Sequence, residues 1–189
     1  ICGPVSRFVK NLRHLKEILG LRAGVSEACA MQALILPNAT VFVADTQVEH
    51  QRSAAQIAEM TILCAEEVRR FGITPKVALL SSSSFGTGET PGALMMRDAF
   101  DLVRRQAPEL EVDGEMQADA ALSEDVRHRV FPGSILTGQA NLLITPDLDS
   151  GNIAFNLAKA LTNGTSVGPV MIGFNHPAHI LTPAVSVRG

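Results

Sequence analysis

Short runs with apolar residues at successive positions alternate along this chain with longer stretches in which apolar residues return every three or four positions. The runs at 28–36, 41–45, 76–81, 140–146 and 167–173 read as strands buried on both faces of a sheet. Between them, residues 53–71 place Ile57, Met60, Cys64, Val68 and Phe71 on one stripe, with Ser53 as N-cap and Gly72 just past the end. A second helix opens with Thr90 as cap and Pro91 at its first position, and lines Met96, Ala99, Phe100 and Val103 along one face. A third is expected to start from Asp149 or Ser150, to face Ile153, Leu157, Ala160 and Leu161 inward, and to stop at Gly164.

Strands alternating with helices of this length imply an α/β sheet covered on both faces. Only four residues, PNAT, separate the runs at 28–36 and 41–45. That is too short for a parallel crossover, so these two strands should form an antiparallel hairpin within a mixed sheet. No internal repeat or low-complexity segment interrupts the pattern.

Composition narrows the function classes. The 189 residues suffice for one domain of ordinary size, 46% apolar and 19% charged, with a formal net charge of −3 and no Lys/Arg run, which argues against nucleic acid as a partner. No apolar stretch approaches a membrane span. Cys2, Cys29 and Cys64 are few and scattered, as expected of buried thiols in a reducing cytoplasm, and no secretory leader is evident. Both ends read as cut, so the chain is expected to be a fragment of a longer protein.

Three blocks carry candidate chemistry. SSSSFGTGET (81–90) joins a strand to a helix start, where hydroxyls and unpaired N–H groups favour an anion; a plain capping loop is the alternative. Its glycines are not spaced as a dinucleotide fingerprint, because Pro91 stands where the third glycine belongs. In EVDGEMQADAAL (111–122), Asp113, Glu115 and Asp119 could hold a metal or act as a base, but carboxylates there more often cap the next helix in solvent. In ITPDLDSGN, Asp147, Asp149, Ser150 and Asn152 fall at the C-terminal edge of the sheet, where open α/β folds bind ligands. His176 and His179 lack a third ligand nearby, so no metal site is expected. No nucleophile elbow is present and the serines of 81–84 have no evident histidine partner.

In order and spacing, VALLSSSSFGTG, EVDGEMQADAAL and NLLITPDLDSGNIAFNLAKAL resemble the corresponding blocks of the phosphotransacetylase family. The resemblance implies a three-layer α/β/α sandwich with a mixed, mostly parallel sheet, one lobe of a two-lobed domain. Residues 20–176 would form the second lobe, with 1–19 and 177–189 reaching toward the first. LRHLKEILGLRAGV (12–25) places Arg13 where that family keeps an arginine close to its substrates. Aligned on Pro177, the family's catalytic serine, arginine and aspartate fall on Thr182, Pro183 and Gly189, and Phe85 stands in place of a loop lysine. A site without its base and positive clamp would bind CoA but turn over poorly.

The ending HILTPAVSVRG, with GLRAGV and VFVADT, is similar to the C-terminal domain of bacterial malic enzymes. That resemblance implies a non-catalytic, acetyl-CoA-responsive domain that also assembles a homo-oligomer. NADP and Mg2+ or Mn2+ would then belong to a separate malate-oxidising part, with no cofactor in this chain. The implied ligand contacts are Arg13, Ser81, Ser82, Ser83, Ser84, Gly86, Gly88, Asp149, Gly151 and Asn152. An active phosphate acetyltransferase is the alternative.

Overall fold

A computed structural model describes residues 8–48 and 51–181. Helix α1 (Phe8–Leu19) leads into the hairpin of β1 (Cys29–Ile35) and β2 (Thr40–Ala44). The rest alternates: α2 (Ala54–Arg70), β3 (Lys76–Leu80), α3 (Pro91–Gln106), β4 (Glu111–Met116), α4 (Ala118–Leu122), α5 (Glu124–Val130), β5 (Leu142–Ile144), α6 (Leu148–Leu161) and β6 (Thr165–Ile172). The six strands form one sheet in the order β4-β3-β5-β2-β1-β6. Strands β4, β3, β5 and β2 run parallel, while β1 is antiparallel to both β2 and β6. The short PNAT link therefore makes the expected hairpin in a mixed, mostly parallel sheet.

Period-two alternation divides the core. Val77, Leu79, Phe42, Ala44, Leu142 and Ile144 meet α2 and α3 on one face; Ala78, Leu80, Val43, Leu143 and Leu34 meet α4, α5 and α6 on the other. Helix α1 lays Leu12 and Leu15 over Ala28, Ala30 and Met171 near the β1–β6 edge. Ser53 and Gln56 form a reciprocal capping box at the start of α2, and Thr90 caps α3 with Pro91 at its first turn. Gly72 follows α2 with φ 75°, a left-handed conformation that glycine adopts without cost. Cys29 and Cys64 are buried free thiols 4.0 Å apart.

Helix α6 departs from the periodicity. Its cap is Asp147, which accepts from the Ser150 N–H at 2.8 Å, so the helix begins before Asp149. Only Gly151 and Phe155 are buried, whereas the expected inward positions Ile153, Leu157 and Leu161 are 65%, 57% and 77% exposed and Ala160 is exposed too. The helix is apolar on most sides, so spacing alone could not select the stripe that packs. Phe71 likewise ends half exposed, because it is the C-cap of α2 and not a member of its buried stripe. Among the described residues no helix is long and apolar enough to cross a membrane.

Candidate functional site

In a sheet of this order, α3 leaves β3 toward one face while α6 leaves β5 toward the other. The connections after these neighbouring strands diverge, leaving a crevice at the C-terminal edge of the sheet, as open α/β sheets do where strand order reverses. A cavity of about 650 Å³ occupies that place. Ser81, Ser82 and the first turn of α3 (Pro91, Gly92, Ala93) form one wall, and Thr145, Pro146, Asp147 and Ser150 the other, with Arg52 at its lip. Leu80, Met95, Ala118 and Ala154 supply apolar surface.

The two walls are fixed by different devices. Buried Asp45, directly after β2, accepts hydrogen bonds from the N–H groups of Gln47 (3.0 Å), Val48 (3.2 Å) and Ala30 (3.3 Å), and its other oxygen accepts from Arg52 at 2.7 Å. The Arg52 and Asp45 side chains are 4% and 3% exposed. Burial works against the Arg52 charge, but the contact with Asp45 overrides it and holds that guanidinium above its ordinary pKa. Arg52 also donates to the Ala28 carbonyl, while its Nε has no hydrogen-bond partner among the described residues. Helix α6 docks on the same connection. An added Cβ at Gly151 would stand 2.3 Å from the Asp45 carbonyl oxygen, and Asn152 donates to the Thr46 carbonyl.

On the opposite wall the serine-rich loop wraps an internal anion. The fully buried Glu115 side chain accepts from Ser83 Oγ (2.5 Å), the Gly86 N–H (3.0 Å) and Arg97 Nε (3.1 Å). Arg97 also donates to the Gly88 carbonyl at 2.5 Å, and the Gly88 N–H donates to Ser83 Oγ at 3.2 Å. Burial alone would raise the Glu115 pKa, but the Ser83, Gly86 and Arg97 donors outweigh it and hold the carboxyl below its ordinary value. Ser84 accepts from the Gln117 N–H, and Phe85 stacks on Phe131 with ring centroids 4.3 Å apart. Asp113 is buried as well, accepting from Ser134 Oγ and the Ile135 N–H. Neither Asp113 nor Glu115 caps a helix in solvent. Asp119 alone of the three is exposed, in α4. No group of three or more His, Cys, Asp or Glu among the described residues could hold a metal ion.

The structure thus brings some expected contacts together and separates others. Ser81 and Ser82 line the crevice. Ser83, Ser84, Gly86 and Gly88 turn toward Glu115, Gln117 and Arg97. Gly151 and Asn152 pack α6 against the β2–α2 connection, and Asp149 is exposed on the first turn of α6. Arg13 is exposed on α1, away from the crevice lining. Thr182, Pro183 and Gly189 lie outside the described residues.

Residues 1–189 match the phosphate acetyl/butaryl transferase family from end to end. The chain belongs to that family. A phosphotransacetylase from Streptococcus pyogenes superposes with a TM-score of 0.93 at 30% identity, covering 98% of this chain and 57% of that one. An NAD-dependent malic enzyme of Rhizobium meliloti and an NADP-dependent malic enzyme of Escherichia coli are each 47% identical over all 189 residues. This chain spans about a quarter of those two relatives (24% and 25%), matching their C-terminal part. A phosphate acetyltransferase of Paracoccus denitrificans is 38% identical over 98% of the chain and 61% of its own length. The phosphotransacetylase-like sandwich expected from the three sequence blocks is the fold observed. Asp45, Arg52 and Arg97 were not among the expected site residues, and Glu115, expected as a metal holder, a base or a solvent cap, instead anchors the serine-rich loop. An acid ending a buried strand, VFVAD, with an arginine seven residues on was the legible signal for the first pair.

Proposed function

We propose that this chain is the phosphotransacetylase-like part of a longer malic enzyme, binding acetyl-CoA as an effector and holding copies together without transferring an acyl group. The observation that carries this reading is the state of the crevice. Among the described residues, the ionisable side chains lining it are Arg52, tied to Asp45, and Asp147, engaged as the α6 cap. What the crevice does offer suits binding. Hydroxyls of Ser81 and Ser82 and the first turn of the 16-residue α3 favour phosphate, and Leu80, Met95 and Ala154 suit a pantetheine arm. Malate oxidation to pyruvate and CO2, with its nicotinamide and divalent metal, belongs in this reading to the remainder of the protein. The two 47%-identical relatives differ in nicotinamide, so their names do not choose between NAD and NADP.

Acetyl-CoA titration of the full-length protein, with malate turnover at each ligand level, tests the reading. Saturable binding that lowers turnover is expected; inhibition requires that acetyl-CoA prefer the less active of two states. No binding at millimolar acetyl-CoA overturns it. A side chain at Gly92 would meet open space within the crevice. Gly92→Leu should therefore weaken acetyl-CoA binding at least about tenfold, roughly 1.4 kcal/mol, with uninhibited turnover preserved. The Paracoccus relative favours a second reading, an active phosphate acetyltransferase. Catalytic formation of acetyl phosphate from acetyl-CoA and phosphate by the full-length protein would establish that one instead.

A further inference from the structure

Cys29 on β1 and Cys64 on α2 are both 0% exposed, and their Sγ atoms stand 4.0 Å apart where the helix packs on the sheet. They lie 35 positions apart in the sequence, so the fold and not local chain geometry brings them together. Neither lines the crevice, yet both are tied to it through Arg52. The Arg52 charge acts on both thiols, and its Nε has no hydrogen-bond partner among the described residues. The neighbours of Cys29 on either side hold the Arg52–Asp45 pair in place. The Ala28 carbonyl accepts from Arg52 at 2.8 Å, and the Ala30 N–H donates to Asp45 at 3.3 Å. Any shift of Cys29 is therefore a shift of both anchors, and Arg52 stands at the crevice lip.

We infer that Cys29 and Cys64 form a reversible dithiol–disulfide pair, closed by hydrogen peroxide and reopened by a dithiol, which transmits oxidation to the crevice lip through Arg52. Two thiols and one peroxide give one S–S bond and two waters. One sulfur attacks a peroxide oxygen, the O–O bond breaks, and the first water leaves. The second sulfur then attacks the resulting sulfenic acid, whose hydroxyl departs as the second water. From 4.0 Å the sulfurs must approach by about 2 Å to reach bonding distance. The hydrogen bond with Cys29 and burial push the Cys64 thiol well above its ordinary pKa, so the pair rests as thiols and responds to sustained oxidant. Peroxide, neutral and close to water in size, enters the sealed core by local opening. The closed loop contains β2, Asp45, Arg52 and the first half of α2. The disulfide draws the start of β1 toward α2 and pulls the Ala28 carbonyl and Ala30 N–H from the pair they anchor. Acetyl-CoA has no part in this step, which stands or falls separately from the effector reading.

Exposing the full-length protein to hydrogen peroxide, then alkylating and digesting it with trypsin without reduction, tests the inference. Cuts after Arg22, Arg52 and Arg69 put the two cysteines on separate peptides, 23–52 and 53–69. These should appear joined, at a mass lower than their sum by two hydrogens, and dithiothreitol should separate them. The oxidised protein should keep its mobility on a non-reducing denaturing gel, as a bond within one chain requires. Its Gln47 and Val48 amides, which donate to Asp45, should lose protection from hydrogen exchange. Cys64→Ala should give no joined peptide and should keep that protection in peroxide. Cysteines recovered singly, as free thiols or as sulfinic and sulfonic acids, overturn the inference, and the wild type alone gives that answer should the variant fail to fold. A joined peptide with unchanged exchange at Gln47 and Val48 overturns it equally, because oxidation would then stop at the thiols.

Discussion

Glu115 shows how one side chain determines what a loop can do. Its carboxylate has no exposed surface and binds Ser83, the Gly86 N–H and Arg97 together, so removing its charge leaves buried donors without an anion. Glu115→Gln should cost about 3 kcal/mol at pH 7, read by urea denaturation. The folded pKa is depressed, so the carboxylate's contribution is fully present above the unfolded value of about 4.3 and is lost as pH falls through the lower folded value. The gap between wild type and variant should therefore narrow below about pH 4. A gap of the same size at pH 3 would show that shape, not charge, is what Glu115 contributes.

Helix α6 and the strand edge beneath it make a comparable case for packing between elements. Gly151 lets α6 sit directly on the Asp45 carbonyl and Thr145 Oγ1, which an added Cβ would approach to 2.3 and 2.6 Å. Gly151→Ala should lift the helix and cost about 1–3 kcal/mol, whereas Gly92→Ala, with nothing within 4 Å, should be close to neutral. Thermal unfolding of the two variants compares them; equal melting temperatures would remove the close approach as a determinant. The same helix marks where the sequence ceased to be readable. The strands were legible as runs apolar at successive positions, the hairpin from its four-residue link, and the caps and most of the buried stripes of α2 and α3 from apolar residues returning every three or four positions. In α6 apolar residues fall on more than one side of the helix, and the choice of Phe155 over Leu157 is made by the sheet beneath. Likewise the donors of the serine-rich loop were legible. Their pairing with Glu115 was not, because that carboxylate lies 32 positions from Ser83 on the neighbouring strand, where the β3–β4 register shifts.

On the proposed reading, the effector site and a malate-oxidising part of the full protein would have to share two states. Thermodynamic linkage makes their influence reciprocal. If acetyl-CoA weakens binding of malate by some factor, malate must weaken acetyl-CoA by the same factor, and calorimetry with each ligand in turn measures both. Unequal factors would mean that inhibition acts on a step after binding. The crevice also constrains where the two states can differ. A loop already closed around Glu115 and pinned by Arg97 has no ordering left to undergo when a ligand arrives, so binding at its outer surface carries little entropic penalty there. Hydrogen exchange at Gly86 and Gly88 should then be as slow without acetyl-CoA as with it. The loop behaves as a rigid abutment, and whatever moves on binding moves against it.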